Sequence, residues 1–389
     1  MEGRRLWIAG IGGAGMSGYA LLARAWGAEV RGWDRVRTPY LDHLEGIDVE
    51  ISEEPSQPPN GWEVFVSTAF AGRVPGKSRA ELLAELVAQR ESIVVAGAHG
   101  KTTTSGMIAF CLERLGRDPA WLIGADIPQL GGNAGTGEGW LVVEGDESDR
   151  TIAALRPRVA VVTNVALDHH ATFGSRAELE ELFARWLEEV PDTVRGDELE
   201  PYDGPLALAG DHNRRNAACT LAALELAGVA RAEAEPVLAD FTGAARRLER
   251  RGTAGGVEVW DDYAHHPAEI AATLAALRDH GRLLVLFQPH LFSRTRHLAR
   301  ELAAALATAD TVAVADVYPA REEAVEGVTG KLVVDALTEL RPGMAVAWTP
   351  SIDDGARFLA GRVRGGDRAL TIGAGDVDRA AALLLELLG

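Results

Sequence analysis

The chain has 389 residues, 47% of them hydrophobic and 25% charged, with a formal net charge of -18. That length is too great for one compact core, so two or three domains are expected. The acidic balance argues against a nucleic-acid partner, which requires a basic surface, and leaves room for small anionic ligands that need only local positive charge.

In chain order, "RLWIAG" (5–10) reads as a short apolar strand. A glycine turn and a helix to residue 27 follow, and "AEVRGWD" (28–34) is a second strand ending in an acid, which makes a βαβ opening. A Pro/Gly-rich turn at 53–61 leads into the strand "WEVFVST", and 78–90 has apolar residues at helical spacing. Strand 93–96 is followed by a glycine loop and a helix through residue 115. "GWLVVEGDESD" (139–149) and "RVAVVTNVALDHH" (158–170) are strands ending in polar clusters. A helix at 176–190, a polar connection at 191–205 and a helix from 211 to 228 come next. After "FTGAARRLERRG" (241–252), strands "VEVWDDYA", "RLLVLFQP", "TVAVADVYP", "MAVAWTP" and "RALTIGAG" alternate with helices at 267–279, 294–309, 330–340 and 352–364, and a last helix runs to residue 388. Strands alternating with helices throughout predict an α/β protein with mainly parallel sheets and ligands at the carboxyl ends of strands. Three units fit the length: 1–90, 91–242 and 243–389.

Several strand ends carry chemistry. "GIGGAG" places Gly10, Gly12 and Gly15 in G-x-G-x-x-G spacing, with Asp34 ending the next strand. Such a turn lets backbone and a helix N-terminus approach a diphosphate. It fits a nicotinamide dinucleotide, another nucleotide diphosphate or a plain tight turn. "VVAGAHGKTTT" (94–104) is a phosphate-loop candidate two residues tighter than G-x-x-x-x-G-K-[ST]. Backbone N–H groups of Gly97–Lys101 can wrap phosphate oxygens, Lys101 can bridge terminal phosphates, and Thr102 can ligate Mg²⁺. Only Lys77, Lys101 and Lys331 are lysines, so the one in this loop stands out.

Glu144, Asp146, Glu147 and Asp149 cluster at one strand end, and Asn164, Asp168, His169 and His170 at another. Two such ends after a phosphate loop favour a metal–phosphate site. Arg246 and Arg247 are candidates for stabilising a transferring phosphoryl group. "WDDYAHHPAE" (260–269) and "QPHLFSRTR" (288–296) bring acids, Tyr263, His265, His290, Ser293, Arg294 and Arg296, which would meet if their strands are neighbours. There is no G-x-S-x-G elbow and no H-E-x-x-H. Cys111 and Cys219 read as buried thiols, which suits a reducing cytoplasm. The glycines after "RRLWIAG" interrupt the N-terminal apolar run too early for a signal peptide, and no run reaches membrane-spanning length.

"GIGGAGMSG", "GAHGKTTT", "EGDESD", "TNVALDHH", "GDHNRRNAACTLAA", "FTGAARRLE", "DDYAHHPAEI", "QPHLFSRTR", "VYPAREE" and "GAGD", in this order, resemble the Mur ligases over essentially the whole chain. They are closest to the branch that joins L-alanine to UDP-N-acetylmuramate. The resemblance implies a Rossmann-like N-terminal domain for the UDP substrate, a central P-loop-type ATPase domain and a Rossmann-like C-terminal domain for the amino acid. It implies ATP and Mg²⁺ as cofactors, a carboxylate activated as an acyl phosphate, and attack by the alanine amine.

Carried over by position, Gly10, Gly12, Gly13, Gly15, Met16, Ser17 and Asp34 would hold the UDP-muramate. Gly97, His99, Gly100, Lys101, Thr102, Thr103, Asn133, Asn216, Arg247 and Asp262 would hold ATP. Thr102, Glu144 and His169 would hold Mg²⁺, and Tyr263, His265 and Arg294 the amino acid. Lys101, His169, Arg247, His265 and Arg294 would serve catalysis. The resemblance also implies a cytoplasmic monomer or weak homodimer. Ala98 and Leu291 replace the Thr and Arg usual in the family, the usual Glu-Pro is missing before Asp168, and the stretch from 170 to 210 is shorter. Those departures keep two alternatives open: a ligase using another amine or acceptor, and a non-catalytic UDP-sugar-binding paralogue.

Overall fold

The computed structural model describes residues 1–147, 150–165, 173, 175–278, 281–320 and 322–389. The chain forms two compact units, one of residues 1–208 and 213–244, the other of residues 209–212 and 245–389.

The first unit contains two sheets. In the first, strands β1 (Arg5–Ala9), β2 (Glu29–Asp34), β3 (Asp48–Ile51), β4 (Glu63–Val66) and β5 (Lys77–Ser78) run parallel in the order β3-β2-β1-β4-β5. Leu6, Trp7, Ile8 and Ala9 are all buried, the continuous apolar run of a strand covered on both faces. Helix α1 (Ala14–Ala25) follows the glycine turn directly. Helix α2 (Arg79–Val87) starts at a capping box in which Ser78 and Glu81 satisfy each other's backbone N–H groups.

The second sheet comprises β6 (Ser92–Ala96), β7 (Ala120–Ile127), β8 (Gly132–Gly135), β9 (Leu141–Glu144), β10 (Val159–Val162) and β11 (Asp192–Arg195), ordered β11-β10-β6-β9-β7-β8. Only β8 is antiparallel. Central β6 is wholly buried, and so are residues 102–112 of the helix that follows it, α3 (Lys101–Arg114). Helices α4 (Arg176–Glu188), α5 (Asp211–Leu226) and α6 (Arg231–Leu238) complete this part. Helix α1 of the first sheet packs against β7 and β8 of the second.

The second unit carries β12 (Glu249–Ala254), β13 (Val257–Asp262), β14 (Leu283–Phe287), β15 (Thr311–Val314), β16 (Ala345–Trp348) and β17 (Arg368–Ile372), ordered β12-β13-β17-β14-β15-β16. All pairs are parallel except β12 with β13, whose register shifts between Arg250 and Gly252. Its helices are α7 (Pro267–Leu277), α8 (Phe292–Leu306), α9 (Lys331–Leu340), α10 (Ile352–Ala360) and α11 (Arg379–Leu388).

The α/β class with three mainly parallel sheets agrees with the sequence reading. Strands β3, β5, β7, β8, β11 and β12 are absent from that reading, and three of them, β8, β11 and β12, share a reason. "GNAG" offers almost no side chains, "DTVR" buries only Val194, and "ERRGTA" is half charged. All three are edge strands, so pairing with a neighbour rather than apolar periodicity defines them. Among the described residues, no helix is long and apolar enough to cross a membrane.

Candidate functional site

The phosphate loop occupies the centre of the second sheet. β6 ends at Ala96 between β10 and β9, so the loop lies between their carboxyl ends. Gly97 (φ 128°) and Gly100 (φ 84°) take left-handed backbone that favours glycine. A Cβ on Gly97 would lie 2.4 Å from Thr163 Oγ1, and one on Gly100 would lie 2.3 Å from Asn216 Oδ1. The loop is thus shaped by the end of β10 on one side and by α5 on the other. The Thr163 hydroxyl and the Asn164 amide donate to the His99 carbonyl at 2.6 and 2.8 Å, and the His99 N–H donates to Asn164 Oδ1 at 3.1 Å.

Side chains then close over the loop. Lys101 Nζ donates to the Gly97 carbonyl at 2.6 Å, the Ala98 carbonyl at 3.4 Å and Glu147 Oε1 at 2.9 Å. Burial, the largest influence on this ammonium, lowers its pKa, but Glu147, Glu144 and Asp146 together outweigh it and the net shift is upward. Thr102 Oγ1 donates to Glu144 Oε1 at 3.0 Å, and the Gly124 N–H donates to Glu144 Oε2 at 2.7 Å. Thr103 follows in the buried first turn of α3. Glu144 and Thr102 are therefore neighbouring oxygen donors at the start of a helix. Among the described residues, no three His, Cys, Asp or Glu side chains converge as metal ligands. His169, with Asp168 and His170, lies outside the described residues.

The glycine turn of the first sheet has a different construction. It lies at the end of β1, where the strand order reverses towards β4. Gly10 has φ 79°, and a Cβ there would lie 2.2 Å from Ser67 Oγ. Asp34 Oδ2 accepts from the Gly12 N–H at 2.8 Å and Oδ1 from the Arg35 N–H at 2.7 Å, while Thr38 Oγ1 donates to the Gly12 carbonyl at 2.6 Å. Gly10, Gly12, Gly13, Gly15, Met16 and Asp34 line one cavity of about 350 Å³, together with Thr38, Ser67, Thr68, Phe70 and Arg79. The Ser67–Thr68 wall was not among the candidates, although "VST" ends β4, the strand next to β1. Ser17 lies within α1, donating to the Ala14 carbonyl at 3.2 Å.

Asn133, which resemblance groups with the ATP residues, donates from Nδ2 to the Ala14 carbonyl at 3.1 Å. It lines a small cavity with Ser17, Gly18 and His43. The β7–β8 hairpin, absent from the sequence reading, carries it to the glycine-turn side. Asn216 does lie against the phosphate loop at Gly100, and its amide donates to Asn213 Oδ1 at 3.2 Å.

In the second unit, strand ends of the third sheet gather the remaining candidates. β13 and β14 are not neighbours, since β17 runs between them. Their loops still meet, with the His265 and His290 rings 5.8 Å apart. β17 ends in "GAG", where a Cβ on Gly375 would strike Gln288 Oε1 at 2.2 Å and Tyr318 at 2.6 Å. The missing side chain is what admits those residues above β17. Tyr263 lies edge-on to His265, and His290 stacks on Tyr318. Arg294 Nη1 is 3.4 Å from His290 Nδ1. His265 Nδ1 lies 3.1 Å from the Tyr263 carbonyl, which can only accept, so a hydrogen bond there requires the Nδ1–H tautomer or the imidazolium.

The two adjacent arginines separate clearly. Arg246 is locked to Asp261 Oδ2 at 2.9 Å and to the Gly375 and Gly373 carbonyls at 2.8 and 2.7 Å. Arg247 lies over the Tyr263 ring at 5.2 Å and favours the charged form of Asp262. Burial nevertheless pushes Asp262 up to about 6, even though its oxygens accept from the Leu248 and Ala264 N–H groups. Leu291 holds φ 70° at the start of α8, uncommon for a residue with a side chain, and its N–H donates to the Tyr318 carbonyl at 3.0 Å.

The Mur ligase middle domain matches residues 95–198, and the Mur ligase glutamate ligase domain matches residues 246–375. A UDP-N-acetylmuramate–L-alanine ligase of Renibacterium salmoninarum is 37% identical over 452 aligned residues, covering 99% of this chain and 96% of the relative. One from Kineococcus radiotolerans is 40% identical, with 99% and 96% covered. Both alignments are longer than the chain, so the relatives carry segments that it lacks. The crystal structure of a UDP-N-acetylmuramate–alanine ligase from Thermotoga maritima superposes with a TM-score of 0.79 at 24% identity, covering 98% of each chain. The chain belongs to the Mur ligase family, whose members are ATP-dependent ligases.

Proposed function

We propose that this protein joins L-alanine to the carboxylate of UDP-N-acetylmuramate at the expense of ATP, in peptidoglycan precursor synthesis. The observation that carries the proposal is the loop at Gly97–Lys101, which combines a glycine-shaped backbone cradle, an ammonium group and a Thr102–Glu144 oxygen pair. The relatives named for this reaction match nearly the whole chain.

A carboxylate is a poor electrophile. In the proposed reaction its oxygen attacks the γ-phosphorus of ATP, ADP leaves, and an acyl phosphate forms. The alanine nitrogen then attacks the acyl carbon, the tetrahedral intermediate expels inorganic phosphate, and the amine proton passes to a base or to solvent. The protein's contribution is positioning and electrostatics. Backbone N–H groups of the loop and Lys101 would hold the phosphates. Glu144 and Thr102 fit Mg²⁺ as hard oxygen donors, and the ion would supply charge neutralisation on the phosphates. His169 joins them as a proposed ligand by resemblance.

The glycine-turn cavity would take the UDP-muramate, its diphosphate against the N-terminus of α1. Asp34 would serve it by bracing the turn. Asn133 would serve the ATP site by resemblance. In the second unit, Arg294, Tyr263 and His265 would receive alanine, with Arg294 on its carboxylate, and Arg247 and Asp262 would serve the nucleotide. A cytoplasmic location and a monomer or weak homodimer complete the reading.

Phosphate release measured with UDP-N-acetylmuramate, ATP and single amino acids tests the assignment. Release that depends on L-alanine is expected. Release that depends on another amino acid would reassign the amine, and none with any amine would remove the ligase assignment.

A further inference from the structure

The acids after β9 do two different things. Glu144 holds a hydroxyl and a backbone N–H. Glu147, three residues on, holds the loop's lysine. Its side chain is 1% exposed, so this ion pair lies almost entirely out of solvent, with Lys101 itself 17% exposed.

An ammonium group has three donors. Those of Lys101 are directed at the Gly97 carbonyl, the Ala98 carbonyl and Glu147. In this arrangement no donor remains for a phosphate oxygen. The backbone carbonyls belong to the loop itself, whereas the Glu147 carboxylate is an anion in the place where another anion would bind. A lysine serving terminal phosphates must therefore release a partner, and Glu147 is the one that carries a competing negative charge.

We propose that Glu147 is a positioning residue that stores Lys101 in the nucleotide-free enzyme and competes with the nucleotide's phosphates for it. The inference rests on the reading of this loop as the ATP site. While the site is empty, the pair neutralises the buried ammonium, whose isolated charge would be costly there. When a polyphosphate enters, Lys101 exchanges one anionic partner for another. Glu147 thus reduces nucleotide affinity, the opposite of what a metal ligand or a plain structural acid would do. Its free-energy effect is set by the difference between the two anionic partners.

The test uses the full chain, with Glu147→Gln keeping the shape and removing the charge. ATP binding is measured by calorimetry in EDTA and again in excess Mg²⁺, and the ATP-induced rise in melting temperature is recorded in EDTA. The variant is expected to bind ATP threefold to tenfold more tightly in EDTA and to show a larger ATP-induced rise, although it melts lower without ligand. Equal or weaker binding in EDTA by the folded variant overturns the proposal. Loss confined to the Mg²⁺ arm, with unchanged affinity in EDTA, also overturns it and makes Glu147 a metal ligand. Failure of the unaltered protein to bind ATP in either condition removes the ATP assignment of the loop, and this proposal with it.

Discussion

The glycine turn after β1 and the phosphate loop after β6 share one topology, a buried parallel strand that passes through glycines into a helix. Their carboxylates are used differently. Asp34 accepts from backbone N–H groups and fixes the shape of its turn. Glu144 and Glu147 instead hold the side chains of Thr102 and Lys101. The first is a braced backbone cradle in which no lysine is the partner of the acid. The second has a cation and a hydroxyl hydrogen-bonded to acids. The same strand–helix geometry therefore carries a braced backbone turn in one sheet and paired side chains in the other, and side-chain partners rather than glycine spacing separate the two.

The largest expected effect breaks the second role alone. Lys101→Ala should lower ATP-dependent turnover by roughly 10²–10³-fold, the scale for losing one preorganised charge-stabilising donor. UDP-muramate binding, measured by calorimetry, should stay unchanged. Coupled loss of both would contradict the separation.

Two glycine substitutions sharpen the comparison. Gly100→Ala places a Cβ against Asn216 in left-handed backbone, and Gly10→Ala does the same against Ser67. Each should cost about 1–3 kcal/mol locally. The first is expected to weaken ATP binding about tenfold or more and the second UDP-muramate binding by a similar factor, each leaving the other ligand alone. Asp34→Asn keeps the shape of its side chain but removes the charge that braces Gly12. UDP-muramate affinity should fall by about fivefold to tenfold, in line with the roughly 1–1.5 kcal/mol by which a charged hydrogen bond exceeds a neutral one, and ATP affinity should not change.

The smallest effect concerns the sheet beneath the glycine turn. The Arg4 hydrogen bond, with Lys77 in support, holds Glu63 down at about 2. A depressed carboxyl contributes stability above its ordinary pKa of 4.5 and loses it as pH falls towards 2. The group is partly exposed, so screening limits this to under about 1 kcal/mol. Urea titrations from pH 6 to pH 2.5 should show a shallower acid loss for Glu63→Gln, with both ligand affinities at neutral pH retained.

Much of this was legible in the chain. The buried strands β1, β6, β9 and β10 announce themselves as apolar runs, and the glycines and Lys101 mark the turns by chemistry. The departures come where side chains say little. Hairpin β7–β8, made partly of glycine, carries Asn133 to the glycine turn, a placement set by edge pairing. Arg246 and Arg247 look alike in sequence, but only packing shows that the first is bound to Asp261 and the "GAG" carbonyls. The meeting of His265 and His290 joins the loops of two strands that β17 separates, which chain order does not reveal. Glu147 was visible only as one acid in a cluster, because its pairing with Lys101 needs the loop to fold back.

The most direct measurement is phosphate release by the purified protein supplied with UDP-N-acetylmuramate, Mg·ATP and L-alanine, each omitted in turn. The account predicts release that requires all three, with the UDP-muramyl-alanine product formed in equal amount. Release that continues without the UDP-muramate or without an amine, or no release with any amino acid, would contradict it.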